Sequence, residues 1–278
     1  MAVASKRAAK RALAAGALLL ALRPALAADA GGVPIVVLKE HGVGNQALVQ
    51  PYLDRMVALA AKQNGWAGVN GKYFTNRAAA EAFIKAETPH YGILSLPAFL
   101  ALRGAHRLDV IGKVEVSLAG GRRYYLISET ADDLSGCKGQ RLATDHADDA
   151  RFIDTVVFGG EVKLADYTLV PTRRPLQTIR AVLTGQAACA LIDDAQKDQL
   201  DHLRNKDGVH TVWEGAELPP MPVVAFPAAP EAERITFKRK LDGVCEDDGK
   251  MACVEVGIDD LTGADAGDYA AVVAAYGE

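Results

Sequence analysis

Several things are missing from this chain of 278 residues, and each absence narrows its function. There is no Gly-x-Ser-x-Gly, no Walker-type phosphate loop and no His-Glu-x-x-His, so the common serine-hydrolase, nucleotidase and zinc-protease signatures do not apply. There is no Cys-x-x-Cys, and the cysteine spacings match no zinc site. The six histidines, at positions 41, 90, 106, 146, 202 and 210, are scattered without ligand spacing. Gly42-Val43-Gly44 has two glycines of a dinucleotide fingerprint without the third. No basic stripe is present, and with a formal charge of −4 the chain is a poor partner for nucleic acid or an anionic membrane. Beyond the first residues no apolar run reaches membrane-spanning length, so no stable membrane insertion is expected.

What is present is an ordinary globular composition, half apolar and about a quarter charged. The first 27 residues stand apart: Lys6, Arg7, Lys10 and Arg11, then an apolar stretch from Leu13 to Leu22, then Ala25-Leu26-Ala27. This is the pattern of a secretory signal peptide spanning residues 1–27. Its removal takes five basic groups and no acidic ones, moving the formal charge to −9. The absence of a paired Arg-Arg before the apolar core fits Sec-type export better than twin-arginine export, and no cysteine follows the cleavage signal to carry a lipid. The expected location is the periplasm. Four cysteines in an exported chain suggest disulfides. Cys245 and Cys253 enclose a polar loop that a bridge would staple; Cys137 and Cys189 each adjoin an expected strand, so their pairing requires those strands to be neighbours.

The chain then alternates. Pro34–Lys39 is a continuous apolar strand of the kind buried on both faces of a parallel sheet. A helix follows over about Ala47–Gln63, with Leu48, Tyr52, Met56, Leu59 and Ala60 on its apolar face and Asn64-Gly65 ending it. Val69–Phe74 is a strand, Asn76–Ala86 a helix, Tyr91–Leu94 a strand and Ala98–Arg103 a helix. Leu108–Leu118 and Tyr124–Ser128 are consecutive strand-like runs with no helix between them, a natural crossing into a second domain. There the theme repeats: strand Arg141–Thr144, helix Ala147–Val157, strand Tyr167–Val170, helix Arg174–Leu183, strand Ala188–Ile192, helix Ala195–Arg204 and strand Val209–Trp213. The proline-stiffened Leu218–Pro222 leads back to a strand at Val223–Phe226, and a mostly helical tail ends in a helix over Asp268–Tyr276. The alternation predicts an α/β fold with doubly wound, mostly parallel sheets.

Particular stretches carry a resemblance. Lys72-Tyr73-Phe74-Thr75 precedes an Ala-rich helix, and Tyr91-Gly92-Ile93-Leu94-Ser95-Leu96-Pro97-Ala98-Phe99-Leu100 joins strand to helix. Asp133-Leu134-Ser135-Gly136 runs on through Lys138-Gly139 to Arg141-Leu142-Ala143. Val182 to Ala190 and a closing Asp268-Tyr269 helix complete the set. In this order they resemble the phosphate/phosphonate-type substrate-binding proteins of ABC transporters. The resemblance implies the two-lobed type 2 periplasmic-binding fold, with lobe one at 31–120 plus 224–278 and lobe two at 121–223. It also implies a small-molecule ligand held in the cleft, hinge closure, an ABC permease as partner, a monomer, no cofactor and no catalysis. An orphan receptor reporting to a membrane sensor is the alternative, and a metal-assisted enzyme using His41 and His146 a more distant one.

The candidate ligand-binding residues lie at strand ends. Ser95 and Leu96 form the corner before a helix with Pro97 in its first turn, where backbone N–H groups are free; a plain Ser95 cap is the alternative. Glu40 and His41 follow the first strand. Thr144, Asp145 and His146 hold the corresponding place in lobe two, suited to an amine or a metal. Thr172 and Arg173 follow the next strand, where an arginine can clamp an oxyanion. Tyr125 lies near the crossing. In phosphonate-binding relatives the loop after the first strand of lobe two is rich in Ser, Thr and Gly. Here it is Thr144-Asp145-His146-Ala147-Asp148-Asp149, and three carboxylates would repel a dianion.

Overall fold

The computed structural model describes residues 32–40, 46–116, 120–203 and 207–277. The expected signal peptide and His41 lie outside the described residues.

Among the described residues, eleven strands form two sheets. In chain order they are β1 (Val33–Leu38), β2 (Val69–Phe74), β3 (Tyr91–Leu94), β4 (Asp109–Val116), β5 (Tyr124–Ser128) and β6 (Arg141–Thr144). They continue with β7 (Thr168–Pro171), β8 (Cys189–Asp193), β9 (His210–Glu214), β10 (Met221–Ala225) and β11 (Ile258–Gly263). The helices are α1 (Gln46–Asn64), α2 (Arg77–Glu87), α3 (Leu96–His106), α4 (Leu134–Cys137) and α5 (Ala150–Phe152). After them come α6 (Pro175–Leu183), α7 (Asp194–Asp201), α8 (Glu231–Lys240), α9 (Gly249–Glu255) and α10 (Ala270–Tyr276).

The first sheet has the order β11-β4-β10-β3-β1-β2 and the second β7-β6-β8-β5-β9. In the first, β2, β1 and β3 pair in parallel, and β10 enters antiparallel between β3 and β4. β1, β2, β3 and β4 therefore all run one way, with β10 and β11 opposed. In the second sheet only β5 opposes the other four. The mostly parallel α/β architecture read from the alternating sequence is present.

The chain changes sheets twice, between β4 and β5 and between β9 and β10. The two crossings brace each other. Leu218 N–H donates to Arg122 O at 2.8 Å, and Arg122 Nε donates to Leu218 O at 2.7 Å. The Arg122 guanidinium also pairs with Glu115 and with Glu217. Gly120, on the first crossing, has φ +74°, and a Cβ there would lie 2.1 Å from Asp193 Oδ2. Only glycine satisfies both conditions.

Side-chain alternation along β1 sorts its residues between two layers. Ile35 and Val37 pack towards α1 with Leu53, Met56 and Val57, whereas Val36 and Leu38 join a cluster with Leu94, Leu96 and Phe99. That second cluster is continuous with Tyr124, Leu126 and Phe152, so apolar contact runs from one lobe into the other. Cys137 is bridged to Cys189 and Cys245 to Cys253, as the cysteine spacing suggested.

Three elements differ from the sequence reading. The buried face of α1 is Leu53, Met56, Val57, Ala60 and Ala61, while Leu48 and Tyr52 are exposed. Both stripes share Met56 and Ala60, so periodicity alone did not separate them. The tail is not simply helical: β11 adds an antiparallel edge strand, whose alternation is hidden by a bulge between Ile258 and Asp260. The segment expected as helix 147–157 is one α turn followed by a π-helical turn, with Phe158 N–H reaching Ile153 O at 2.8 Å. The last helix also lies against this turn, and Arg151 Nε donates to Tyr276 O at 2.7 Å.

Candidate functional site

The strand ends converge on a cavity of about 40 Å³ between the lobes. Lys39, Glu40, Ser95 and Leu96 line it from the first lobe and Tyr124, His146 and Asp193 from the second, with Gly120 and Met221 at the crossings. Four of the sequence-predicted residues, Glu40, Ser95, Leu96 and His146, are thus brought together.

Ser95 is buried and opens α3, but its hydroxyl makes no capping bond. It donates instead to Glu40 Oε2 at 3.3 Å. The backbone does the local work: Ser95 N–H donates to Leu38 O at 2.7 Å, tying the corner to the end of β1. Glu40 is held by Arg77, whose Nε and Nη2 lie 2.7 and 2.8 Å from its two oxygens. The same Nη2 donates to Asp149 Oδ2 at 3.0 Å, in the other lobe. Asp149 also caps α5 by accepting from Phe152 N–H at 3.1 Å.

Thr144 and Asp145 sit behind the cavity wall. Thr144 Oγ1 accepts from His146 N–H at 3.1 Å. Asp145 Oδ1 accepts from Thr178 Oγ1 and from Gln196 Nε2, each at 3.0 Å, a bonding pattern that secures the carboxylate away from the cleft. Thr172 extends this chain through a short contact with Thr178. Of the three carboxylates in the 144–149 loop, one is therefore held by the lobe's own donors and one is paired with Arg77, while Asp148 is exposed. The repulsion expected for an anion is correspondingly smaller than the sequence implies.

His146 stands between two acids: Nε2 is 3.8 Å from Asp145 Oδ1 and 3.9 Å from Asp193 Oδ2, with Gln196 Oε1 at 3.4 Å. The Tyr124 ring meets it edge-on at 5.2 Å. Asp193 ends β8 and starts α7, forming a reciprocal capping box with Gln196. Burial pushes the Asp193 carboxyl up, opposed mainly by its neighbour His146. Burial also raises the Tyr124 phenol well above its usual range, so it is a neutral hydroxyl.

Arg173 and Tyr125 are placed elsewhere. Arg173 is exposed, and its N–H bonds Gln177 Oε1 at the start of α6. Tyr125 neighbours Tyr124 on β5 and so faces the opposite side of the sheet, against the Ile127–Ile192 cluster. Lys39 and Arg77 were not singled out from the sequence. Lys39 was legible, because it prolongs the Ile35-Val37 face of β1 to the strand's carboxyl end, where α/β folds bind ligands. Its N–H donates to Phe74 O at 3.0 Å, while its ammonium makes no hydrogen bond or ion pair with any described residue. Burial lowers its pKa below the usual lysine value, with Asp193 and Asp194 pulling the other way. Among the described residues, no group of three His, Cys, Asp or Glu is arranged to hold a metal ion.

The same architecture occurs in solved proteins of little sequence similarity. A binding-protein component of an ABC phosphonate transporter from Pseudomonas aeruginosa superposes with a TM-score of 0.61 at 11% identity, covering 86% of this chain and 83% of that one. PhnD1 from Prochlorococcus marinus, in complex with methylphosphonate, gives 0.63 at 10%, covering 86% and 95%. The periplasmic aliphatic sulphonate binding protein SsuA from Escherichia coli gives 0.57 at 12%, covering 88% and 85%. The chain has the type 2 periplasmic-binding fold. No protein-family model and no curated protein matches its sequence. At such identities the shared property is the fold, with its two lobes and the cleft between them.

Proposed function

We propose that the protein is an exported, non-enzymatic solute receptor that captures a small polar anion between its lobes and delivers it to an ABC permease. The observation that carries this reading is the cavity itself. It joins an uncommitted ammonium, Lys39, to the Ser95 corner at the start of α3, and it is roofed by His146 from the opposite lobe. A helix N-terminus and a desolvated cation together favour negative charge. The named relatives of the fold bind phosphonate or sulphonate, which supports an oxyanion as ligand. Asp193 on the wall favours a single negative charge over two. The lobes, 31–120 with 224–278 and 121–223, would close by hinge motion at the braced crossings. Periplasmic location rests on the fold relatives together with the signal-like sequence at residues 1–27.

The test is a thermal-shift screen of the purified protein with phosphonates, phosphite, phosphate, sulphonates, carboxylates and amino acids. A ligand bound only by the folded state at a hundred times its Kd contributes about 2.7 kcal/mol. For a chain of this size that is a rise of roughly 5–10 °C. If no small solute moves Tm, the receptor reading fails.

A further inference from the structure

A second cavity, of about 130 Å³, opens under α1 on the other side of Lys39. Its walls are apolar: Val49, Leu53 and Met56 from α1, Tyr73 from β2, Val116 from β4 and Val256 after α9. Lys39 and Met221 line both this space and the interlobe cavity. Alternation along β1 accounts for the placement: Lys39 continues the Ile35-Val37 face towards α1, whereas Glu40 turns with Leu38 towards Arg77 and Ser95. One lysine thus lines both a polar chamber and an apolar one.

We propose that these two chambers form one amphiphilic site, and that the ligand is an aliphatic carboxylate whose head pairs with Lys39 beside Ser95 while its chain fills the cavity under α1. The proposal rests on the receptor reading above and adds the ligand class. Two physical points select this occupant. The polar chamber, about 40 Å³, has room for about three water-sized groups at roughly 10–15 Å³ each. That size suits a planar carboxylate better than a tetrahedral phosphonate. An apolar space of this kind is poorly hydrated and gains by taking up hydrocarbon, whereas the Lys39 ammonium, without a close partner, gains by meeting a negative head. The volume under α1, about 130 Å³, has room for a short alkyl chain.

Calorimetric titration of the intact protein with acetate, butyrate, hexanoate and octanoate tests this. Hexylamine and hexanesulphonate serve as head-group controls, with methylphosphonate as a chain-free anion. Affinity should rise by roughly fourfold per methylene from butyrate to hexanoate and level off by octanoate. Hexylamine should not bind. Lys39→Gln should lose at least tenfold for hexanoate, and Val49→Phe or Val256→Phe, placed at the half-buried rim, should abolish the chain-length dependence. Folding of each variant is checked by its melting curve, and either rim variant suffices. If hexanoate binds no tighter than acetate, or if methylphosphonate or hexanesulphonate outcompetes every carboxylate, the aliphatic-carboxylate proposal is overturned and the receptor reading stands. If no anion of any kind binds, both fall.

Discussion

Arg77 of the first lobe donates to Asp149 of the second across the mouth of the cleft, at 3.0 Å, with the same guanidinium that holds Glu40. The side chains are largely shielded, with 26% exposure for Arg77 and 12% for Asp149, so solvent screens this pair less than a surface pair. It is a direct ionic tie between the lobes at the candidate site.

Asp149→Asn should loosen closure while keeping the α5 cap, since an asparagine oxygen still accepts from Phe152 N–H. The expected loss is about 1 kcal/mol. Small-angle scattering should show a larger radius of gyration for the variant than for the native protein, and the difference should shrink in high salt. An unchanged radius would mean that the apolar contact from Leu96 to Tyr124 and Leu126 closes the lobes unaided.

Arg122 braces the two crossings through Leu218 O, Glu115 and Glu217. Arg122→Ala removes a charged donor from that set and should cost about 1.5–3 kcal/mol. For a chain of this size Tm should fall by roughly 3–12 °C. A calorimetric scan that superposes on the native one would show the hinge does not depend on this side chain.

The disulfides should contribute unequally. Cys137–Cys189 closes a separation of 52 residues and Cys245–Cys253 one of 8. In the chain-entropy treatment these correspond to about 4 and about 2.5 kcal/mol. Denaturant unfolding of the Cys137→Ala/Cys189→Ala and Cys245→Ala/Cys253→Ala variants should rank them in that order.

Lys39 gives the stability a definite pH slope. Its folded-state pKa lies below the unfolded value because burial penalises the ammonium, so the unfolded chain binds more protons in that interval. Stability therefore rises with pH between the folded pKa of Lys39 and its ordinary value near 10.5. Lys39→Gln should flatten this alkaline rise. The check is urea unfolding of both proteins at neutral pH and near pH 10; parallel curves would show that the lysine is not desolvated.

The fold was legible because its signals are local. The apolar run of β1, the strand-to-helix corner at Ser95 and the strand at Arg141–Thr144 each reveal themselves within a few residues, and two consecutive strands without a helix mark the first crossing. The candidate site was legible only in part. Strand-end position led to Glu40, Ser95, Leu96 and His146. It could not show that Asp145 turns inward to Thr178 and Gln196, because those partners come from α6 and α7, 33 and 51 residues away. Arg77 was invisible for the same reason: both its acids are remote in sequence, and an arginine at a helix start reads as surface. β11 escaped because a bulge breaks its alternation.

The most direct test of the central claim is the ligand-induced melting shift measured in parallel on the native protein and on Lys39→Gln. A small monoanion should raise Tm of the native protein by several degrees and that of the variant by half as much or less. A shift that persists undiminished in Lys39→Gln, or the absence of a shift with every small anion, would contradict it.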